Sequence, residues 1–283
     1  MSASAQMTRV RAIQWARQSI DRLDARLLLQ FASECSANAL VADPDVVLEE
    51  AQWTRFQSLV QRRAGGEPLA YLVGEAGFYG ALLAVTPDVL VPRPETEELV
   101  DWALDVLRDQ PAPTIADLGT GSGAIALTLA RARPDARVMA VDVSSAALSV
   151  AQLNQQRLGC ANVALIHASW YDGWQAPDGL DLIISNPPYI PADDPHLSGD
   201  GVGFEPRLAL TDEADGLDAY RAIAAGAVAR LKPGGWLLVE HGHDQGAAVA
   251  SLWLQAGLVD VRGRLDLSGN PRMTGGQKPA RSA

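Results

Sequence analysis

From about residue 112 the chain alternates short apolar runs with helical stretches, and no other feature limits its possible folds as much. The runs are TIADL at 114–118, RVMAVD at 137–142, NVALIH at 162–167, LDLIIS at 180–185 and GWLLVE at 235–240. Helices are expected from Ser122, from Ser144, over 218–231 and after Asp244. Strands and helices in this alternation bury their apolar surfaces as a mostly parallel sheet with helices on both faces. The chain is therefore expected to be α/β, with a Rossmann-like core.

Residues 1–75 read differently. They hold no β-branched run but repeat helical spacing, with Leu28, Leu29 and Ala32 on one face and Trp53, Phe56 and Val60 on another. Asp43 before Pro44 predicts the start of a helix running toward Arg63, which Gly65-Gly66 stops. Residues 76–92 contain two apolar runs around Thr86-Pro87-Asp88 and read as a β-hairpin linker. The expected organisation is a helical domain over 1–75, the hairpin linker over 76–92 and the α/β domain over 93–283. The tail from Gly263 is weakly patterned.

Charge separates these regions. The whole chain carries a net charge of −11. Residues 1–75 hold 8 basic and 9 acidic side chains, and the rest hold 15 and 25. Such a balance argues against a chain that coats nucleic acid, since that affinity comes from cations on phosphate. The nearly neutral helical domain is the better candidate for docking a basic partner. Cys35 and Cys160 are too few for a disulfide framework. No apolar run approaches the roughly 20 residues that cross a bilayer, and the first residues lack a secretory apolar segment. A cytoplasmic protein with no membrane association is expected.

Two loops carry the chemistry. The first strand ends in Asp117-Leu118-Gly119-Thr120-Gly121-Ser122-Gly123-Ala124. A glycine-rich turn between strand and helix lets backbone pass close to a ligand, where Cβ atoms would collide. Asp142 closes the second strand, where a carboxylate can accept from ribose hydroxyls. This pattern also fits a relaxed dinucleotide fingerprint, so a nicotinamide oxidoreductase stays open at this point.

After LDLIIS comes Asn186-Pro187-Pro188-Tyr189, at the strand edge where open α/β sheets bind ligands. Both Asn186 and Pro187 precede a proline and are pushed to extended backbone, and neither proline has an N–H. The Asn186 side-chain oxygen and the Pro187 carbonyl become two fixed acceptors, with the Tyr189 ring beside them. That suits a planar NH2 group conjugated to a carbonyl or ring. Two acceptors on its hydrogens turn the lone pair toward an electrophile and stabilise positive charge developing on nitrogen. The competing reading is an ordinary Asx-Pro turn.

Together DLGTGSGAIAL, the Val141-Asp142 pair and SNPPY resemble a class I S-adenosyl-L-methionine-dependent methyltransferase acting on amino groups. The further segments GEPLAYLVG, VPRPETEELV, FEP, the AYRAI stretch and LLVEHG resemble the peptide chain release factor N5-glutamine methyltransferase family over nearly the whole chain. The PRPET segment favours that family over the ribosomal-protein glutamine methyltransferases. The resemblance implies a mostly parallel seven-stranded sheet and a small all-helical N-terminal domain that helps grip the release factor. It implies S-adenosyl-L-methionine held by Gly119, Thr120, Gly121, Ser122 and Gly123, by Asp142 at the ribose, by Trp170 at the adenine and beside Asn186. It also implies that Asn186, Pro187, Pro188 and Tyr189 hold the glutamine of a Gly-Gly-Gln loop, with Asn186, Pro187 and Tyr189 the catalytic set.

Rival readings are an adenine-N6 or guanine-N2 nucleic-acid methyltransferase, which the net charge disfavours, and a binding module without catalysis, which the intact Gly119, Gly121, Asp142 and Asn186 disfavour. Glu240-His241-Gly242-His243-Asp244 has metal-ligand spacing but reads as a polar turn, so no metal is expected. The closing stretch Arg272-Met273-Thr274-Gly275-Gly276-Gln277 departs from the family's apolar final strand. Two glycines weaken a strand, so a short or frayed one is expected. Its Gly-Gly-Gln also repeats the implied substrate tripeptide, and chance accounts for that.

Overall fold

The computed structural model describes residues 6–176, 178–199 and 201–280. Residues up to Glu75 form one compact unit and those from Ala76 form another.

The first unit holds helices α1 (Arg9–Ala16), α2 (Arg22–Ser33), α3 (Ala37–Ala42), α4 (Glu50–Ala64) and α5 (Leu69–Val73). Leu28, Leu29 and Ala32 of α2 meet Phe56 and Val60 of α4 in its core. The Asp21 carboxylate starts α2 by accepting the Leu23 N–H at 2.6 Å. The helix predicted to open at Asp43 does not begin there. Asp43 instead ends α3, and α4 opens six residues after Pro44 through a reciprocal Glu49–Gln52 cap. The intervening backbone is committed elsewhere, since the carbonyls of Pro44 and Val46 accept the first N–H groups of α1.

The second unit opens with a hairpin of β1 (Glu75–Phe78) and β2 (Ala81–Ala84). Its turn is Tyr79-Gly80, both at positive φ, and not the Thr86-Pro87-Asp88 segment. Thr86 and Asp88 make a separate side-chain turn, in which the Asp88 N–H donates to Thr86 Oγ1. Phe78 and Leu83 bury themselves in the core of this unit.

Then follow α6 (Glu95–Val106), β3 (Thr114–Leu118), α7 (Ala124–Ala132), β4 (Arg137–Asp142), α8 (Ser145–Leu158), β5 (Val163–His167) and β6 (Leu180–Ser185). The remaining elements are α9 (Asp218–Arg230), β7 (Leu231–Glu240), α10 (Gly246–Gln255), β8 (Val259–Leu265) and β9 (Pro271–Gln277). Among the described residues the sheet has seven strands in the order β5-β4-β3-β6-β7-β9-β8. The first five are parallel, and β9 runs antiparallel to both neighbours. Alternation along the strands sorts side chains to two faces. Ile115, Val138 and Leu182 pack under α6 and α7, while Ala116, Met139 and Ile183 pack with α9 and α10.

The expected frayed ending is corrected here. β9 is paired on both sides through Gly275 and Gly276. A Cβ on Gly275 would lie 2.7 Å from the Trp102 ring, and one on Gly276 would lie 2.9 Å from Trp253. The two glycines admit a buried tryptophan on each face of the sheet, so packing outweighs their low strand propensity. Gln277 is tied down as well, its Nε2 donating to the Gly234 carbonyl at 2.7 Å.

Candidate active site

The order β4-β3-β6 places the crossover of the sheet between β3 and β6. The chain ends of these strands therefore open onto a crevice, where ligands bind in such folds. A cavity of about 690 Å³ lies there, within the usual size range for small-molecule sites. Gly119, Thr120, Gly121, Ser122, Asp142 and Trp170 all line it, and so do Asn186 and Pro188. Gly123, Pro187 and Tyr189 do not. Gly123 caps α7 from behind, where an added Cβ would stand 2.8 Å from Leu127. Pro187 is buried, and the Tyr189 ring packs against the apolar core under α9 and α10.

The glycine turn is held by backbone and carboxylates. Gly119 and Thr120 donate to the Val141 carbonyl at 2.8 and 2.9 Å. Gly119 and Gly121 adopt φ of 73° and 55°, and a Cβ on either would meet nothing within 4 Å. Their missing side chains leave open space facing the cavity. Asp142 accepts the Gly121 N–H on one oxygen and the Ser144 N–H on the other, each at 2.8 Å. A carboxylate has about four acceptor positions, so Asp142, which the Val143 N–H also approaches, keeps acceptor capacity for a ligand. Burial raises its pKa, opposed by those N–H groups.

Beneath the turn, Asp117 is fully buried and receives the Thr120 hydroxyl at 2.6 Å and the Ala126 N–H at 3.1 Å. Its other oxygen has no partner among the described residues, and burial pushes its pKa up to about 7. Trp170 sits at the rim with φ of 48°, a left-handed conformation costly for a bulky residue.

Asn186 projects from the end of β6. Its Nδ2 donates to Thr96 Oγ1 at 3.2 Å, and Thr96 in turn donates to Glu240 Oε2 at 2.6 Å. Thr96 and Glu240 are 4% and 2% exposed. None of the described residues donates to Asn186 Oδ1, which remains an available acceptor. Burial holds the Tyr189 phenol neutral, with its pKa near 12.

Several residues of the site escaped the sequence reading. Asn154 is fully buried on α8, where it joins the hairpin to the glycine turn. Its Nδ2 donates to the carbonyls of Ala84 and Ser122, both at 2.9 Å, and its Oδ1 accepts the Ala84 N–H. Phe78, Val89 and Leu90, read as linker, line the cavity. The PRPET and FEP segments meet through an ion pair between Arg93 and the buried Glu205. Glu240, weighed as part of a metal pattern, serves Thr96, while His241 pairs with Thr274 and the Gly242 carbonyl.

Comparison with known proteins gives consistent relatives. Residues 11–74 match a model of the "PrmC N-terminal domain" and 101–197 match a "Methyltransferase small domain". The chain is 49% identical to the release factor glutamine methyltransferase of Bordetella pertussis, over 92% of this chain and 96% of that one. It is 47% identical to that of Burkholderia pseudomallei, over 92% and 93%. Among solved structures, a methyltransferase from Pyrococcus furiosus superposes with a TM-score of 0.52 over 79% of this chain and 98% of that one. At 16% identity that likeness concerns the fold alone.

Proposed function

The chain belongs to the release factor glutamine methyltransferase family, and from that premise we propose that it methylates the side-chain amide nitrogen of the glutamine in the Gly-Gly-Gln loop of a peptide chain release factor. The observation that carries this reading is one cavity walled by the glycine turn, Asp142 and Trp170 and rimmed by Asn186 and Pro188. A nicotinamide oxidoreductase, which the glycine pattern left open, has no support in this family.

The site fits S-adenosyl-L-methionine as methyl donor. Gly119 and Gly121 leave space for its methionine portion, Asp142 retains acceptor positions for ribose hydroxyls, and the Trp170 ring offers a flat apolar surface for adenine. When bound, the cofactor supplies an electrophilic methyl group on a sulfonium centre. In this reading Asn186 Oδ1 accepts one hydrogen of the substrate NH2. The other reaches the carbonyl of Pro187, which lies in sequence between the lining residues Asn186 and Pro188 although it does not itself line the cavity, so that the lone pair turns outward. Methyl transfer would place positive charge on that nitrogen, which these acceptors would stabilise until one amide proton leaves to solvent. The acceptors lower the barrier because they are already in place as nitrogen becomes cationic. Prolines at 187 and 188 keep that geometry rigid.

The reading also makes residues 1–75 a substrate-recognition domain, 76–92 a hairpin forming part of the cavity wall, and 93–283 the methyltransferase domain. A direct test offers tritiated S-adenosyl-L-methionine with a release factor, with DNA and with RNA. Label in the release factor alone is expected, and label in nucleic acid instead overturns the proposal. Gly121→Asn tests the cofactor half, because asparagine tolerates positive φ yet fills the open space. Cofactor affinity measured by calorimetry falls at least about tenfold if Gly121 borders the ligand.

A further inference from the structure

We propose that Thr96 and Glu240 are positioning residues for the methyl acceptor, fixing the Asn186 amide so that its nitrogen points into the protein and its oxygen is left for the substrate. The inference rests on the reading of Asn186 as a substrate ligand.

An asparagine amide is nearly symmetric in shape, and only its hydrogen-bond partners decide which end faces where. A threonine hydroxyl has a single proton. With Glu240 ionised that proton is committed to its Oε2 at 2.6 Å, so toward Asn186 the Thr96 oxygen can only accept. An acceptor at that position selects the Asn186 NH2, which lies 3.2 Å away. The Asn186 amide also lowers the proton affinity of Glu240, as a donor facing the same carboxylate does. With the opposite rotation, Asn186 Oδ1 would confront the lone pairs of Thr96, and an NH2 group would confront the NH2 of the substrate. Two donors cannot hold one another, and catalysis would stop.

Among the described residues Thr96 and Asn186 are the hydrogen-bond donors that face the Glu240 carboxylate, and Arg272 on β9 attracts its charge. Glu240 is 2% exposed and forms no ion pair among the described residues, an arrangement that ordinarily costs stability. The chain Glu240–Thr96–Asn186 brings together β7, the first turn of α6 and the end of β6. It gives that carboxylate a task in orienting the acceptor.

A double-mutant cycle tests the inference. Thr96→Val keeps the shape and removes the hydroxyl. It is expected to lower kcat about 10- to 10²-fold, the scale of a small misplacement of a reacting group. Thr96→Ser restores most of the loss, and the affinity for S-adenosyl-L-methionine by calorimetry stays near wild type. In an Asn186→Ala background Thr96→Val costs almost nothing further, because Thr96 acts through Asn186. Glu240→Gln, nearly isosteric, repeats the pattern should Thr96→Val fold poorly.

The Asn186 side-chain NH2 resonances give a readout independent of turnover. They are expected to exchange slowly in the wild type and to lose that protection in Thr96→Val. Equal kcat losses from Thr96→Val in both backgrounds, or unchanged protection of the NH2 group, overturn the inference. A wild-type enzyme that leaves the release factor unmethylated defeats the functional reading instead, while the NH2 protection still decides the positioning of Asn186.

Discussion

Truncating Asn186 to alanine removes the acceptor proposed to face the substrate amide but leaves the glycine turn and Asp142 in place. The expected result is a loss of about 10²- to 10³-fold in kcat with cofactor affinity unchanged, as for other preorganised polar contacts to a transition state. Parallel kinetics and calorimetry check it, and an equal fall in both would make Asn186 a cofactor ligand. Glu240 adds a pH dependence. Burial pushes its pKa up to about 7, aided by Glu95 and opposed by Thr96, Arg272 and Asn186. Tyr189 and Tyr220 also face it, both neutral phenols with raised pKa values, and His241 beside it is kept neutral by burial. Above about pH 7 the carboxylate is ionised and accepts the Thr96 proton. Below that, a protonated Glu240 can donate to Thr96, whose hydroxyl is then free to face Asn186 Oδ1 and release the amide. The kcat profile is therefore expected to decline as pH falls through about 7, and to lose this limb in Asn186→Ala. Asp117 titrates in the same range but sits beneath the glycine turn, so under the proposed function its protonation registers in cofactor affinity instead. Local motifs made Gly119, Gly121, Asp142 and Asn186 legible in the sequence. Thr96 and Glu240 were not, since they are 144 residues apart and only the sheet joins them.

At the scale of elements, the alternating strands and helices from β3 to α10 follow from period-two and period-3.6 patterning and were readable, whereas β8 was not read and β9 was expected to fray. What patterning missed was fixed by partners distant in sequence. Asp43 offers a good cap in isolation, yet the Glu49–Gln52 cap opens the helix because the backbone after Asp43 serves α1. Gly275 and Gly276 look like strand breakers until Trp102 and Trp253 are set against them. Gly275→Ala should consequently destabilise, although alanine is ordinarily the better strand residue. Its methyl group would stand 2.6 Å from Leu238 Cδ2 and 2.7 Å from the Trp102 ring. Overpacking of this kind costs about 1–3 kcal/mol, which thermal unfolding would read as a drop of several degrees. An unchanged or raised Tm would mean that Trp102 shifts freely, against the packing described.

For the whole molecule, the proposed division of labour rests on charge and site chemistry. The first unit carries a groove lined by Arg17, Arg22 and Arg26 with Ile13, Leu40 and Val41, and none of these arginines forms an ion pair among the described residues. If this unit grips the release factor, Arg22→Glu with Arg26→Glu should raise KM for the intact factor and leave kcat and cofactor affinity nearly unchanged. The effect should shrink as salt rises, because exposed charges are screened within about 10 Å at 0.1 M. Salt-independent kinetics equal to wild type would assign the groove no part in docking. Under the proposed function the cavity presents a glutamine amide nitrogen to a methyl donor. Mass-spectrometric mapping of a release factor after incubation with the protein and S-adenosyl-L-methionine tests it most directly. One methyl group on the side-chain nitrogen of the Gly-Gly-Gln glutamine is predicted, forming about 10²- to 10³-fold more slowly when Asn186→Ala replaces the wild-type enzyme. A methyl group on any other residue, or an unmodified factor in the presence of active cofactor turnover, would contradict it.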